Sequence, residues 1–441
     1  MENIVIIGNG IAGVTTARHI RKRSNNNITI ISGESKYFYS RTALMYIYMG
    51  VMKHKDIKPY EDWFWEKNRI NIINDFVLNI NIDIKQLSLS SGNVISYDKL
   101  VIATGSKSNK FGWKGQDLAG VHGLYSLQDL DLMEQNTKNI SRAVIVGGGL
   151  IGIEMAEMLL SRNIPVTFLV REESYWDNIL PKEESEMINK HIREHGMDLR
   201  LASQLKEIIP DENGRVKAII TDKDEMIECQ FVGLTAGVSP NIDIVKNTKI
   251  ETGRGVLVNY YLETNIPDVY SAGDCAEFKT ENEGEKNKVE QLWYTGRMHG
   301  ETLAKTICGE RTKYERGVLF NSAKFLDIEY QTYGSVNLNV PGEKSIYWES
   351  PDNKKAIRIV YTDEFVIGFN TMGIRYRHEL CEKWIIEKKT IEYVLDHLGE
   401  TNFDPEFYTQ YESKLIEQFN LHSNGKTIRL RNKRGLLKKT V

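Results

Sequence analysis

Two short glycine runs carry most of the chemistry that this 441-residue sequence offers. The first is Gly8-Asn9-Gly10-Ile11-Ala12-Gly13, and the second is Gly147-Gly148-Gly149-Leu150-Ile151-Gly152. Both have the spacing GxGxxG. The first glycine allows a tight turn, the second lets a pyrophosphate approach the backbone, and the third lets a helix pack closely on a strand. A helix that starts at such a turn presents free N–H groups and partial positive charge to phosphate. Two copies in one chain call for two dinucleotides, or leave one copy unused. Glu34 stands past the second strand after the first run, where an acid accepts ribose hydroxyls. After the second run that place holds Val170, then Arg171 and Glu172. Arg171 suits a 2′-phosphate and favours NADPH, whereas Glu172 keeps a plain ribose, and so NADH, open.

The surrounding pattern supplies the elements that must hold these turns. Asn3 to Ile7 is an apolar strand, Ile11 to Arg23 a helix and Ile28 to Ser32 a strand. The same order returns as Ala143 to Val146, Leu150 to Arg162 and Val166 to Val170. Strand–turn–helix–strand units of this kind build parallel sheets. Residues 77–97, with Ser90-Ser91-Gly92-Asn93, and residues 205–228, with Asp211-Glu212-Asn213-Gly214, alternate apolar and polar and read as hairpins or meanders. Residues 279–288 read as a surface loop. Beyond about residue 320 come strand-like pieces (Lys324 to Tyr333, Ile357 to Tyr361, Phe365 to Phe369), a helical end, and from Lys426 a basic tail. The fold expected is α/β, with two Rossmann-like domains and a C-terminal α+β domain.

A net charge of −3 asks for neither nucleic acid nor an anionic membrane. No apolar run reaches the ~18 residues of a membrane span. Cys229, Cys275, Cys308 and Cys381 form no CxxC pair, so neither a disulfide framework nor a metal site is expected. With no leader-like start, the reading is cytoplasmic.

Two further strands end in glycine turns: Tyr97-Asp98-Lys99-Leu100-Val101-Ile102-Ala103-Thr104-Gly105 and Thr264 to Ala272-Gly273-Asp274. In this order the segments resemble the FAD- and NAD(P)-linked reductases of the pyridine nucleotide-disulfide oxidoreductase superfamily, over roughly residues 1–320. The resemblance implies FAD along the first glycine turn and Asp274 at the ribityl–pyrophosphate region. Ala103, Thr104, Gly105, Gly237 and Gly273 join the candidate cofactor-binding residues. Where disulfide reductases carry redox cysteines, this chain has Tyr39-Ser40-Arg41-Thr42-Ala43-Leu44. That segment is similar to rubredoxin and ferredoxin reductases, the flavin part of nitrite reductases and apoptosis-inducing factor. These relatives imply a basic residue beside the flavin paired with a glutamate on the second nucleotide helix, here Arg41 and Glu154, the candidate catalytic pair. Glu154 could otherwise be a helix-dipole residue. Trp293, in Gln291-Leu292-Trp293-Tyr294 at a helix start, is either a shield over the flavin or a core residue.

The domains expected are 1–112 with 247–320 for FAD, 113–246 for NAD(P)H, and 321–441. The function expected is hydride transfer from NAD(P)H, with NADPH slightly favoured, to FAD, then electron transfer to a small redox protein. An NAD(P)H oxidase or quinone reductase, and a slow flavin-binding signalling or scaffold protein, are the alternatives.

Overall fold

In a computed structural model, residues 1–280, 284, 286–403, 409–422 and 427–431 are described. Part of the expected loop at 279–288 and most of the basic tail lie outside them. The chain forms two compact units: residues 1–169 with 203–316, and residues 170–202 with 317–441.

In the first unit the elements that bear on function are β1 (Asn3–Ile7), α1 (Ile11–Arg23), β2 (Asn27–Ile31), β3 (Ile70–Ile73), β4 (Lys99–Ile102), β5 (Val121–His122), β6 (Ala143–Val146), α2 (Leu150–Leu160), β7 (Val166–Leu169), β8 (Phe231–Leu234), β9 (Val269–Ser271) and α3 (Trp293–Ile307). Parallel pairing gives one sheet in the order β9-β4-β1-β2-β3. Its centre, β1, reads Asn-Ile-Val-Ile-Ile because both faces are covered, and Ile4 to Ile7 are all buried. α1 crosses α3 so closely that a Cβ on Gly300 would lie 2.7 Å from the Ala12 carbonyl oxygen. In the second parallel arrangement β6 lies between β7 and β8, and β8 also pairs with β5. The two expected meanders are present as antiparallel strands, with Ser90–Asn93 and Asp211–Gly214 as turns. Asp211 shapes its turn by accepting from the N–H groups of Asn213 (2.8 Å) and Arg215 (2.9 Å).

The second unit holds an antiparallel sheet in the order Phe320–Phe325, Ile328–Gly334, Phe365–Met372, Ala356–Thr362, Glu343–Glu349. Ile357, Ile359, Phe369, Trp384 and Leu395 are at the centre of its core. The stretch Lys324–Tyr333, expected as one strand, is a hairpin that reverses at Leu326-Asp327, with Leu326 at φ +58°. The strand Glu343–Glu349 had no counterpart in the sequence reading. Residues 170–202 pack with this sheet. Arg358 donates to Glu184 (2.8 Å) and Glu183 (2.6 Å) on the helix Lys182–Glu194, and Glu184 and Arg358 are both buried.

A candidate dinucleotide site

The two glycine runs fold alike, and their three glycines divide the work in the same way. Gly8 has φ +110°, and a Cβ there would sit 2.1 Å from the Ala103 carbonyl oxygen. A Cβ on Gly13 would sit 2.1 Å from the Gly8 carbonyl oxygen. Gly147 (φ +117°) and Gly152 are closed in the same manner, against Thr235 at 2.7 Å and the Gly147 oxygen at 2.3 Å. The middle glycines differ: Cβ atoms on Gly10 and Gly149 would meet nothing within 4 Å. Outer glycines are thus required by packing, while each middle glycine leaves its backbone edge open to an approaching group. Gly10 and Gly149 cap α1 and α2, and neither helix has an acid in its first turn to oppose an anion. These features fit a bound pyrophosphate at each turn.

A polar chain runs behind the first turn. The Glu34 carboxylate accepts both terminal nitrogens of Arg41, at 2.9 and 2.8 Å, the Leu127 N–H at 3.1 Å, and a close hydrogen bond from the Tyr39 hydroxyl. Arg41 also donates to Tyr39 Oη (3.0 Å) and closely to the Tyr125 carbonyl, and lies 4.3 Å above the Tyr125 ring. The Tyr125 hydroxyl donates to Asp274 Oδ2 at 3.2 Å and accepts from the Ser106 N–H at 2.9 Å. Ser106 Oγ donates to the same Asp274 oxygen at 3.1 Å and accepts from Gln291 Nε2 at 2.8 Å. Asn9, inside the glycine run, donates to the Ser35 carbonyl at 2.8 Å and ties the turn to the Glu34 segment.

Burial acts on both acids, with different outcomes. At Glu34 burial pushes the carboxyl up, but Arg41, Tyr39 and the Leu127 N–H outweigh it, and the net shift is down. At Asp274 burial dominates and lifts the carboxyl above its ordinary range, against the opposing pull of Ser106, Tyr125, Arg41 and His299. Arg41, half-buried, is held charged by Glu34 and the two tyrosines.

The sequence-predicted residues therefore meet in part. Glu34, Arg41, Gly105 and Asp274 share one network with the first turn. A Cβ on Gly105 (φ +69°) would lie 2.7 Å from the Tyr125 hydroxyl. Gly273 (φ +80°) packs against Ala12, and its N–H donates to His299 Nδ1 at 3.1 Å. Ala103 faces Gly8, and Thr104 Oγ1 donates to the Asn241 carbonyl at 2.5 Å. Gly237 (φ +84°) is beside Asn109. Beside the expected partner Glu154, the structure gives Arg41 a second carboxylate that the sequence reading had assigned to ribose: Glu34. Seven residues apart on one segment, Glu34 and Arg41 meet in fork-to-fork geometry, which two oxygens and two nitrogens favour. Glu154 stands half-buried on α2. Trp293 is no core residue: it opens α3 with 37% of its surface exposed and its ring edge-on to Tyr294. Arg171 belongs to the second unit and pairs with Glu172 at 2.7 Å.

Sequence reasoning missed Asn9, Ser106, Tyr125 and Gln291 as parts of this network. Ser106 was within reach, directly after the Ala-Thr-Gly strand end. Tyr125 precedes Ser126-x-x-Asp129, a capping box whose signature is local. The four cysteines are free thiols. Cys275, next to Asp274, is buried with its Sγ 3.4 Å from both Ser271 Oγ and the Ile102 carbonyl oxygen. Among the described residues no helix is long and apolar enough to cross a membrane.

Comparison with known proteins agrees with this geometry. Residues 2–300 match the family described as pyridine nucleotide-disulphide oxidoreductase. A nitrite reductase [NAD(P)H] of Bacillus subtilis is 29% identical over 81% of this chain, which spans only 42% of that protein. An NADH-rubredoxin oxidoreductase of Clostridium acetobutylicum is 30% identical over 85% of this chain and 93% of its own length. The crystal structure of NADH:rubredoxin oxidoreductase from that organism superposes with a TM-score of 0.69 at 27% identity, covering 92% of this chain and 98% of the other. Two Rossmann-type glycine turns, the strands that place them and the match over residues 2–300 lead to one conclusion: this chain belongs to the pyridine nucleotide-disulphide oxidoreductase family, whose members are FAD-dependent enzymes acting on pyridine nucleotides.

Proposed function

We propose that this chain passes electrons from NAD(P)H, through FAD, to a small redox protein of the rubredoxin or ferredoxin type. The observation that supports it most is the pair of like turns in one unit, each with its middle glycine open and its outer glycines closed by packing. In this reading segments 1–112 and 247–320 bind FAD, 113–246 binds the nicotinamide nucleotide, and 321–441 is a further domain. When bound, FAD supplies the redox chemistry, accepting a hydride and releasing electrons onward.

The residues supply placement and charge. The N-termini of α1 and α2 direct N–H groups at the two pyrophosphates. Glu34 shares its oxygens between Arg41 and the adenosine ribose. Asp274, raised by burial and steadied by Tyr125 and Ser106, accepts from the ribityl chain. Arg41 is a fixed positive charge held by Glu34, and Glu154 borders the nicotinamide pocket. Trp293 shields the flavin. Arg171 inclines the nicotinamide choice to NADPH, with Glu172 as its internal competitor. With the four thiols free and Cys275 turned inward, dithiol exchange has no partner beside Asp274. The relatives named for nitrite and rubredoxin reduction support an electron-transfer role. Steady-state turnover with NAD(P)H tests it: a rubredoxin or ferredoxin should accept electrons faster than oxygen or a quinone. Equal or faster turnover with oxygen alone would oppose it.

A further inference from the structure

The second unit brings together three side chains that the sequence keeps far apart. His191 is in the last turn of the helix Lys182–Glu194, and His195 is its C-terminal cap residue. Four residues apart, the two imidazoles share one face, with ring centroids 4.4 Å apart. Asp327 stands at the reversal of the hairpin formed by Phe320–Phe325 and Ile328–Gly334, 136 residues from His191. One carboxylate oxygen, Asp327 Oδ1, makes a close hydrogen bond with His191 Nε2 and stands 3.4 Å from His195 Nε2. The three atoms lie within 4.8 Å of one another.

The surrounding bonds set up the donors. His195 Nδ1 donates to the His191 backbone carbonyl at 2.9 Å, which leaves Nε2 as the nitrogen turned toward the carboxylate. Two imidazole nitrogens and one carboxylate oxygen converging within 4.8 Å are a donor set that a single cation can share. Backbone hydrogen bonding of the far nitrogen is also how ligating histidines are oriented. His191 is 98% buried, and its Nδ1 has no hydrogen-bond partner, so its ring is oriented from the Nε2 side. Asp327 and His195 are open to solvent, which gives an ion a way in.

We propose that His191, His195 and Asp327 bind a divalent transition ion, for which Zn(II) is the natural probe, as a staple between the helix Lys182–Glu194 and the hairpin. Two imidazoles and a carboxylate suit zinc, whereas magnesium and calcium prefer oxygen alone. Three protein ligands leave a fourth position for water. The nearest opposing charge is Lys354 Nζ, 3.4 Å from Asp327 Oδ2. The nearest further acid is Glu194, 4.0 Å from His191 Nδ1. Lys354 therefore weakens cation binding without itself being a ligand.

The test is calorimetric titration of the chelator-treated, FAD-loaded full chain with Zn(II). His191 is left in place because it is buried. The wild type should show a single saturable zinc, released by chelator, with a higher melting temperature when bound. His195→Gln and Asp327→Asn should each weaken binding by about tenfold or more, and Lys354→Gln should tighten it. The flavin spectrum and circular dichroism of each variant report that it is folded. Absence of a saturable zinc in the wild type, or a zinc whose affinity survives in either ligand variant, overturns the site.

Discussion

Replacing Gly10 by alanine should weaken FAD binding by roughly ten- to hundredfold and leave the apoprotein at least as stable as before. Gly10 has φ −70° and ψ −178°, extended backbone that any residue adopts, and the added methyl meets nothing within 4 Å. Removing a glycine at a compatible position restricts the unfolded chain and stabilises the fold by about 0.4–1 kcal/mol. The methyl would instead occupy the edge where a pyrophosphate approaches. Losing one charge-assisted hydrogen bond from backbone N–H to phosphate costs about 1.5–3 kcal/mol, or roughly ten- to hundredfold in affinity. Gly8→Ala is the contrast. Its φ of +110° strains any side chain, and its methyl would stand 2.1 Å from a backbone oxygen that cannot rotate away, so the fold itself should suffer. Titration of each apoprotein with FAD, followed by quenching of flavin fluorescence, gives the affinity, and scanning calorimetry of the apoproteins gives the stability. Wild-type affinity in Gly10→Ala, or early melting of that variant alongside Gly8→Ala, would refute the division of labour among the glycines. Gly149→Ala should behave likewise toward the nicotinamide nucleotide while keeping FAD.

A double-mutant cycle on flavin reduction should show coupling between Arg41 and Glu34, read by stopped flow with Arg41→Met, Glu34→Gln and the combination. Because Glu34 is shifted down in the fold, its ionised form favours folding. The stability difference between wild type and Glu34→Gln should be full near neutral pH and shrink as pH falls through the carboxylate range, measured by urea denaturation at stepped pH. Arg358→Met should destabilise the second unit by about 3–5 kcal/mol, because it leaves Glu184, 1% exposed, as an uncompensated charge; Arg358→Met with Glu184→Gln should recover part of that in the same denaturation assay.

The glycine turns were legible because the constraint they answer is local: a positive φ and a backbone contact within one strand–turn–helix unit. The strand ends at Ala103-Thr104-Gly105 and Gly273-Asp274 were legible for the same reason. The pairing of Arg41 with Glu34 was not, since Glu34 had already been given a ribose role and a bidentate fork depends on the path of the segment between them. Tyr125 reaches Asp274 across 149 residues and Arg41 across 84, distances over which one sequence carries no pairing signal. The hairpin at Leu326-Asp327 was hidden by its composition, since a leucine holds the left-handed position where glycine or asparagine would announce a turn. The placement of residues 170–202 with the C-terminal sheet depends on Glu184 and Arg358, 174 residues apart, and has no local mark.

The central claim is that one chain holds FAD and a nicotinamide nucleotide so that electrons pass between them. Anaerobic titration of the purified protein with NADH and with NADPH, followed by flavin absorbance, tests it most directly. The account predicts a yellow protein whose flavin bleaches stoichiometrically within the turnover time, faster with NADPH. A colourless protein that cannot be reconstituted with FAD, or a flavin that neither nucleotide reduces, would contradict it.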